Sequence, residues 1–151
     1  MTKDLPYAID VEVPITAGEL QVLRRQYERE GSNVRVQTKF NFAWGLVKSP
    51  ERSDQELGVN LLHEIHSSFP ERKRECMYYL ALGYYKMGEY ANARVFNDQL
   101  LALEPQNKQA MSLRDVIDRK VSQDGLLGMA MAGGVVALAG LAAAALFKRT
   151  K

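Results

Sequence analysis

The sequence predicts an all-α protein, a six-helix bundle followed by one C-terminal transmembrane helix. Three observations carry that reading. Between residues 15 and 125, apolar residues recur at three- and four-residue steps in six segments, each bounded by capping residues, Gly or Pro. The stretch Leu126–Phe147 holds no charged residue and matches the roughly 20 residues that span a bilayer core. Strand-like alternation occurs at Ile9-Asp10-Val11-Glu12-Val13, with no partner strand elsewhere.

At 151 residues there is room for one modest domain, and a chain that is 46% hydrophobic and 25% charged has the balance of a folded one. The single cysteine, Cys76, excludes an internal disulfide framework and a thiolate zinc site. A net charge of +2 argues against nucleic acid as the main partner. Lys148, Arg149 and Lys151 lie beyond the apolar stretch and no acidic residue does, so a nearly neutral head carries a basic tip.

Residues 1–14 read as an extended N-terminal arm, bracketed by Pro6 and Pro14. The helical domain spans 15–125. Thr16 and Glu19 form a capping box and Ile15 and Leu20 a hydrophobic staple, so a helix opens there. Its apolar stripe is Leu20, Leu23 and Tyr27, and Gly31 stops it. A second helix from about Asn33 to Val47 places Val36, Phe40, Ala43, Trp44 and Val47 at helical spacing, and Pro50 closes it. Ser53 and Glu56 make another capping box for a third helix carrying Leu57, Leu61, Leu62 and Ile65, which stops before Pro70. The fourth runs from about Arg72 to Met87 and ends at Gly88. The fifth runs from about Tyr90 to Leu103 and ends before Pro105. The sixth opens near Asn107, carries Ala110, Leu113, Ile117 and Val121, and leads through Gln123-Asp124-Gly125 to the membrane.

The segment 126–147 is hydrophobic on every face, which suits a transmembrane anchor, because a helix satisfies its own backbone in hydrocarbon. Placed at the C-terminus, it is expected to insert after translation, with the head left in the cytosol. Its modest Ala- and Gly-rich hydrophobicity and the basic tip 148–151, with Lys148, Arg149 and Lys151 as the targeting residues, point to the mitochondrial outer membrane rather than the endoplasmic reticulum. Small residues at four-residue spacing, as in Ala130/Gly134 and Gly140/Ala144, offer a face for self-association.

The run Tyr84-Tyr85-Lys86-Met87-Gly88-Glu89-Tyr90-Ala91-Asn92-Ala93, followed by Phe96, Leu100, Leu103 and Pro105, resembles one tetratricopeptide repeat, whose period is about 34 residues. Gly88 allows the tight turn, Ala93 is small where helices approach, and Phe96, Leu100 and Leu103 fill the pair's interior. A weaker upstream copy shares its offset, with Gly58 answering Ala93, Ile65 answering Leu100 and Pro70 answering Pro105. The expected architecture is therefore a tetratricopeptide-like bundle of two repeats, capped by the first and sixth helices. Stacked pairs curve, with the first helix of each lining the concave side. The expected groove residues are Tyr78, Leu82, Tyr85 and Lys86 in the better repeat, and Asn41, Ala43 and Val47 in the weaker. Of the pair Tyr78 and Tyr79, Tyr79 is expected in the core. The arm is expected to lie in the same groove, anchored by Tyr7, Ile9, Val11 or Val13, and to compete with a partner.

The layout as a whole resembles the mitochondrial fission 1 protein family, in particular its fungal members. The matching segments are Phe40-Asn41-Phe42-Ala43-Trp44-Gly45-Leu46, Arg72-Lys73-Arg74-Glu75-Cys76-Met77-Tyr78-Tyr79-Leu80, Gly83-Tyr84-Tyr85-Lys86-Met87-Gly88-Glu89-Tyr90 and Asn107-Lys108-Gln109-Ala110. The resemblance implies a cytosolic helical domain on the mitochondrial outer membrane, and often on peroxisomes as well. It also implies a groove that recruits a fission adaptor and, through it, a dynamin-related GTPase, with no cofactor and no catalytic step of its own.

Other classes fit less well. His63-Glu64-Ile65-His66 approaches a zinc motif, but its histidines are three apart rather than four and no third ligand accompanies them. No phosphate loop or nucleophile elbow occurs. Cys76 sits in an apolar helical stretch, as a small core residue does. Arg72-Lys73-Arg74 reads as a solvated face. The alternative function is a tail-anchored chaperone or import receptor that binds peptide C-termini in its groove.

Overall fold

The computed structural model describes residues 5–132, with side chains described to residue 123. The chain divides into two compact units, residues 1–114 and 115–151. All described elements are helical: α1 (Ala8–Val11), α2 (Ala17–Glu30), α3 (Val36–Val47), α4 (Arg52–Ser68), α5 (Lys73–Lys86), α6 (Tyr90–Leu103) and α7 (Lys108–Ala132). Short 3-10 turns at Gly31–Asn33 and Pro70–Arg72 shorten the starts expected for α3 and α5.

The capping box at α2 forms as the spacing requires. The Thr16 N–H donates to Glu19 Oε1 at 3.0 Å and the Glu19 N–H to Thr16 Oγ1 at 3.1 Å. The second expected box does not form. Glu51 is the N-cap of α4, so Ser53 is already inside the helix. Ser49 does the work instead, its hydroxyl donating to Asp54 Oδ2 at 2.7 Å and accepting the Glu51 N–H at 3.1 Å.

Helices α3 and α4 pack as one pair and α5 and α6 as the next, with α4 against α5 and α2 against α3. Small residues set these approaches. A Cβ on Gly58 of α4 would lie 2.7 Å from the Ala43 carbonyl, and one on Gly83 of α5 would lie 2.7 Å from Val59 Cγ2. Between them lies a core of Leu46, Val47, Leu62, Ile65, Leu80, Leu82 and Leu100. Two expected core positions are corrected. Leu57 is exposed, and Leu103, the last residue of α6, is 67% exposed while Leu101 takes the inner place. At the end of the first unit Asn97 is buried and donates from Nδ2 to the Ala110 carbonyl at 2.8 Å, tying α6 to the first turns of α7.

In the second unit α7 continues unbroken to Ala132, so Gly125 does not interrupt it. Of the anchor predicted at 126–147, residues 133–147 lie outside the described residues, as does the tip with Lys148, Arg149 and Lys151. Among the described residues no helix is long and apolar enough to cross a membrane.

Candidate partner-binding face

The arm is the first departure from expectation. Read with period two it is a strand, yet Ala8–Val11 is a helical turn. Asp10 is the reason, because its carboxylate accepts the Tyr7 N–H at 2.8 Å and opens the turn. A helical turn selects a different set of inward residues. Leu5, Ala8 and Val11, three apart, are buried, and Val11 fully so. Tyr7 is exposed, and Ile9 and Val13 are 73% and 58% exposed. Of the four expected anchors, only Val11 faces inward. Leu5 and Ala8 were missed, although their three-residue spacing was there to be read.

The arm docks along α5. The Tyr78 hydroxyl donates to the Pro6 carbonyl at 2.5 Å, and Lys86 Nζ lies 3.6 Å from Glu12 Oε1. At its end the Ile15 N–H donates to the Lys48 carbonyl at 3.3 Å, at the close of α3. The arm therefore occupies the stretch of α5 from Tyr78 to Lys86. Tyr78, Leu82 and Tyr85 are all buried and Lys86 is half-buried. Burial, first of all, pushes the Tyr78 phenol above its ordinary value, so it stays a hydrogen-bond donor across physiological pH.

On α3 the expected residues separate. Asn41 is exposed, its Oδ1 accepting from Gln37 Nε2 at 2.8 Å. Ala43 and Val47 are fully buried, the Ala43 carbonyl and Val47 Cγ2 lying against Gly58 of α4 and Val47 Cγ2 also near Gly83 of α5. Where α3 meets α5, the half-buried rings are Trp44 and Tyr79. Tyr79 stands edge-on to Phe40 at 4.7 Å and to Trp44 at 4.8 Å, and Lys48 Nζ sits over Trp44 at 5.6 Å. The core assignment within the tyrosine pair is thus reversed, since Tyr78 is fully buried and Tyr79 is not. Arg72 Nη2 donates to Gln37 Oε1 at 3.0 Å, which gives this aromatic strip a polar edge with Asn41. The four-residue spacing of Phe40 and Trp44 was the available signal for the strip.

The remaining chemistry-bearing residues are structural. His63 Nε2 and the Tyr84 hydroxyl share a hydrogen bond at 2.8 Å, and Tyr84 stacks on Phe96 at 5.8 Å. Burial holds His63 and His66 below their ordinary value, with Lys73 and His63 adding to the effect at His66. No metal-holding group of His, Cys, Asp or Glu occurs among the described residues. Burial pushes the Cys76 thiol up to about 12, so it is not a thiolate nucleophile at neutral pH. Of the basic run only Lys73 is exposed, because Arg72 pairs with Glu75 at 3.5 Å and Arg74 donates to Glu104.

With this geometry in place, comparison with known proteins is decisive. Residues 37–68 match the Fis1 N-terminal tetratricopeptide repeat and residues 74–126 the Fis1 C-terminal tetratricopeptide repeat. The chain is 55% identical over 151 residues to the mitochondrial fission 1 protein of Gibberella zeae, covering 100% of this chain and 99% of that one. It belongs to the mitochondrial fission 1 protein family. The Neurospora crassa member is 61% identical over 137 residues, covering 91% of this chain and 90% of its own. Among solved structures, yeast Fis1 in complex with an Mdv1 fragment containing N-terminal extension and coiled coil domains superposes with a TM-score of 0.77 at 37% identity, covering 82% of this chain and 98% of that one. The chain is thus a tetratricopeptide-repeat protein of mitochondrial fission, not an enzyme.

Proposed function

We propose that this fission protein is a tail-anchored receptor on the mitochondrial outer membrane, and on peroxisomes. It holds a fission adaptor on the α3–α5 face and, through the adaptor, a dynamin-related GTPase. The observation that carries the reading is the half-buried Trp44–Tyr79 strip lying where α3 meets α5, the helix whose other half the arm covers. Half-exposed aromatic rings beside amide and guanidinium groups suit an amphipathic helix that brings apolar anchors and hydrogen-bonding neighbours. The structural relative solved with an adaptor fragment supports the same class of partner.

The arm regulates this face by competition. Tethered by Pro14 to α2, it has a high effective concentration over Tyr78, Leu82 and Tyr85 and lowers a partner's apparent affinity. A second reading is favoured by Ile9 and Val13, whose outward side chains would extend the partner's surface.

Titration of an adaptor segment against wild-type protein, Trp44→Ala and Tyr79→Ala tests the face. We expect each variant to weaken binding by about tenfold or more, as buried aromatic anchors do. Unchanged affinity in both would overturn the proposal. For the anchor, a fluorescent fusion lacking residues 126–151 should leave the mitochondrial surface, and retention there would refute the tail's role.

A further inference from the structure

The turn between α5 and α6 is held from outside. Arg52, the first residue of α4, donates from Nη1 to the Met87 carbonyl at 2.7 Å and from Nη2 to Glu89 Oε2 at 2.6 Å. The residues joined are 35 and 37 positions apart, about one repeat. Within the turn, the Gly88 N–H donates to the Tyr85 carbonyl at 3.0 Å and the Glu89 N–H to the Tyr84 carbonyl at 2.8 Å, while the Tyr85 and Tyr90 rings lie 5.9 Å apart across it. Arg52 therefore supplies a donor to a carbonyl that the end of α5 would leave without one. It also bridges the two interhelix turns, since the α3–α4 turn ends at Arg52 itself.

Each end of that bridge lies close along the chain to a support of the arm. Lys86, one residue before Met87, pairs with Glu12, and Lys48, at the start of the other turn, accepts the Ile15 N–H. We propose that Arg52 is a positioning residue for the arm, holding the Met87–Glu89 turn so that Lys86 stays where Glu12 docks. Among the described residues Arg52 bonds to Glu56, Met87 and Glu89, so its coupling to the arm runs through the turn. The inference deepens the arm reading above but needs only the docked arm, not its competition with a partner. If deletion of residues 2–14 left adaptor affinity unchanged, the functional reading would fail and this one would stand.

Amide hydrogen exchange on the full-length protein in detergent tests it. The reporters are Asp10, Glu12 and Val13, whose N–H groups bond to Tyr7, Ile9 and Asp10 within the arm. In Arg52→Gln their exchange should rise about two- to fivefold, the range for loss of an exposed ion pair, with no change in α3. Glu89→Gln keeps the bond to Met87 and should give a smaller rise. The double variant should match Arg52→Gln alone, because both substitutions act on one contact. Faster exchange at Gly88 and Glu89 with an unchanged arm would overturn the proposal, as would an equal rise in the arm and in α3.

Discussion

In the pair α5–α6 the turn is made by Gly88 at φ 77°, a conformation that costs an L-residue about 1–2 kcal/mol. In α3–α4 the corresponding turn, residues 48–51, contains no glycine, and side chains close it instead. Ser49 bonds to Asp54 and the Glu51 N–H, and buried Gln55 donates from Nε2 to the Ser49 carbonyl at 2.8 Å. The small residue at the helix crossing differs as well, being Ala93 in one pair and Gly58 in the other. At Gly58 the neighbour is a backbone oxygen, which cannot move aside as a side chain can. The two repeats reach one geometry by backbone freedom in one case and by a polar side-chain network in the other. The second solution fails in a different way, since losing a member strands a buried polar group.

The largest expected effect breaks the comparison at the crossings. Gly58→Ala should destabilise by about 2–3 kcal/mol, the cost of overpacking an unyielding site. Ala93→Gly should cost about 1 kcal/mol, mainly through helix propensity. Urea denaturation of the two variants measures the difference, and equal midpoints would show that the crossings are equivalent after all. Next come the turns. Gln55→Ala strands the Ser49 carbonyl and should cost about 1–2 kcal/mol. Gly88→Ala should cost about the same for a different reason, the positive φ. Only the first should restore stability on adding back a polar partner, as Gln55→Asn would in part.

The same contrast explains what could be read from the sequence. The α5–α6 pair was legible because its signals are local: Gly88 for the turn, Ala93 for the crossing, and Phe96 and Leu100 at helical spacing. The α3–α4 turn was not, because Ser53–Glu56 offered a plausible capping box and nothing in the sequence shows that Ser49 bonds to Asp54 instead. The full burial of Ala43 and Val47 was hidden for a related reason. Spacing places them on the face of α3 that meets a neighbour, but which neighbour depends on Gly58 drawing α4 close. The arm failed on period. Ile9, Val11 and Val13 alternate, while Leu5, Ala8 and Val11 step by three, and the Asp10 bond to Tyr7 decides between them.

A smaller effect concerns the arm against the body. Tyr78→Phe removes the bond to the Pro6 carbonyl and should weaken arm docking by about 1 kcal/mol. Exchange at Asp10 and Glu12 should rise about fivefold while the urea midpoint stays in place. A fall in the midpoint without an arm response would mean that the hydroxyl supports the core.

The smallest differences are in acid. Glu30 accepts from the Arg35 guanidinium and backbone, from Gln26 and from Thr38, and the Arg35 guanidinium above all holds it well below the ordinary 4.5. Glu104 is held lower too, chiefly by Arg74. For a carboxylate lowered on folding, the stability is present above pH 4.5 and is lost as pH falls toward the folded value. Glu30→Gln should flatten the acid limb of a stability–pH profile more than Glu104→Gln. His63 and His66, lowered from 6.5 by burial, add stability above that pH and lose it as pH falls. An identical acid limb in both glutamate variants would contradict this ranking.

The most direct test of the account is calorimetric titration of one adaptor segment into the full-length protein and into protein lacking residues 2–14. A docked arm that governs access to the α3–α5 face predicts a shift in affinity of about threefold or more, toward tighter binding where the arm competes and toward weaker binding where Ile9 and Val13 contribute. The same affinity for both proteins would contradict it.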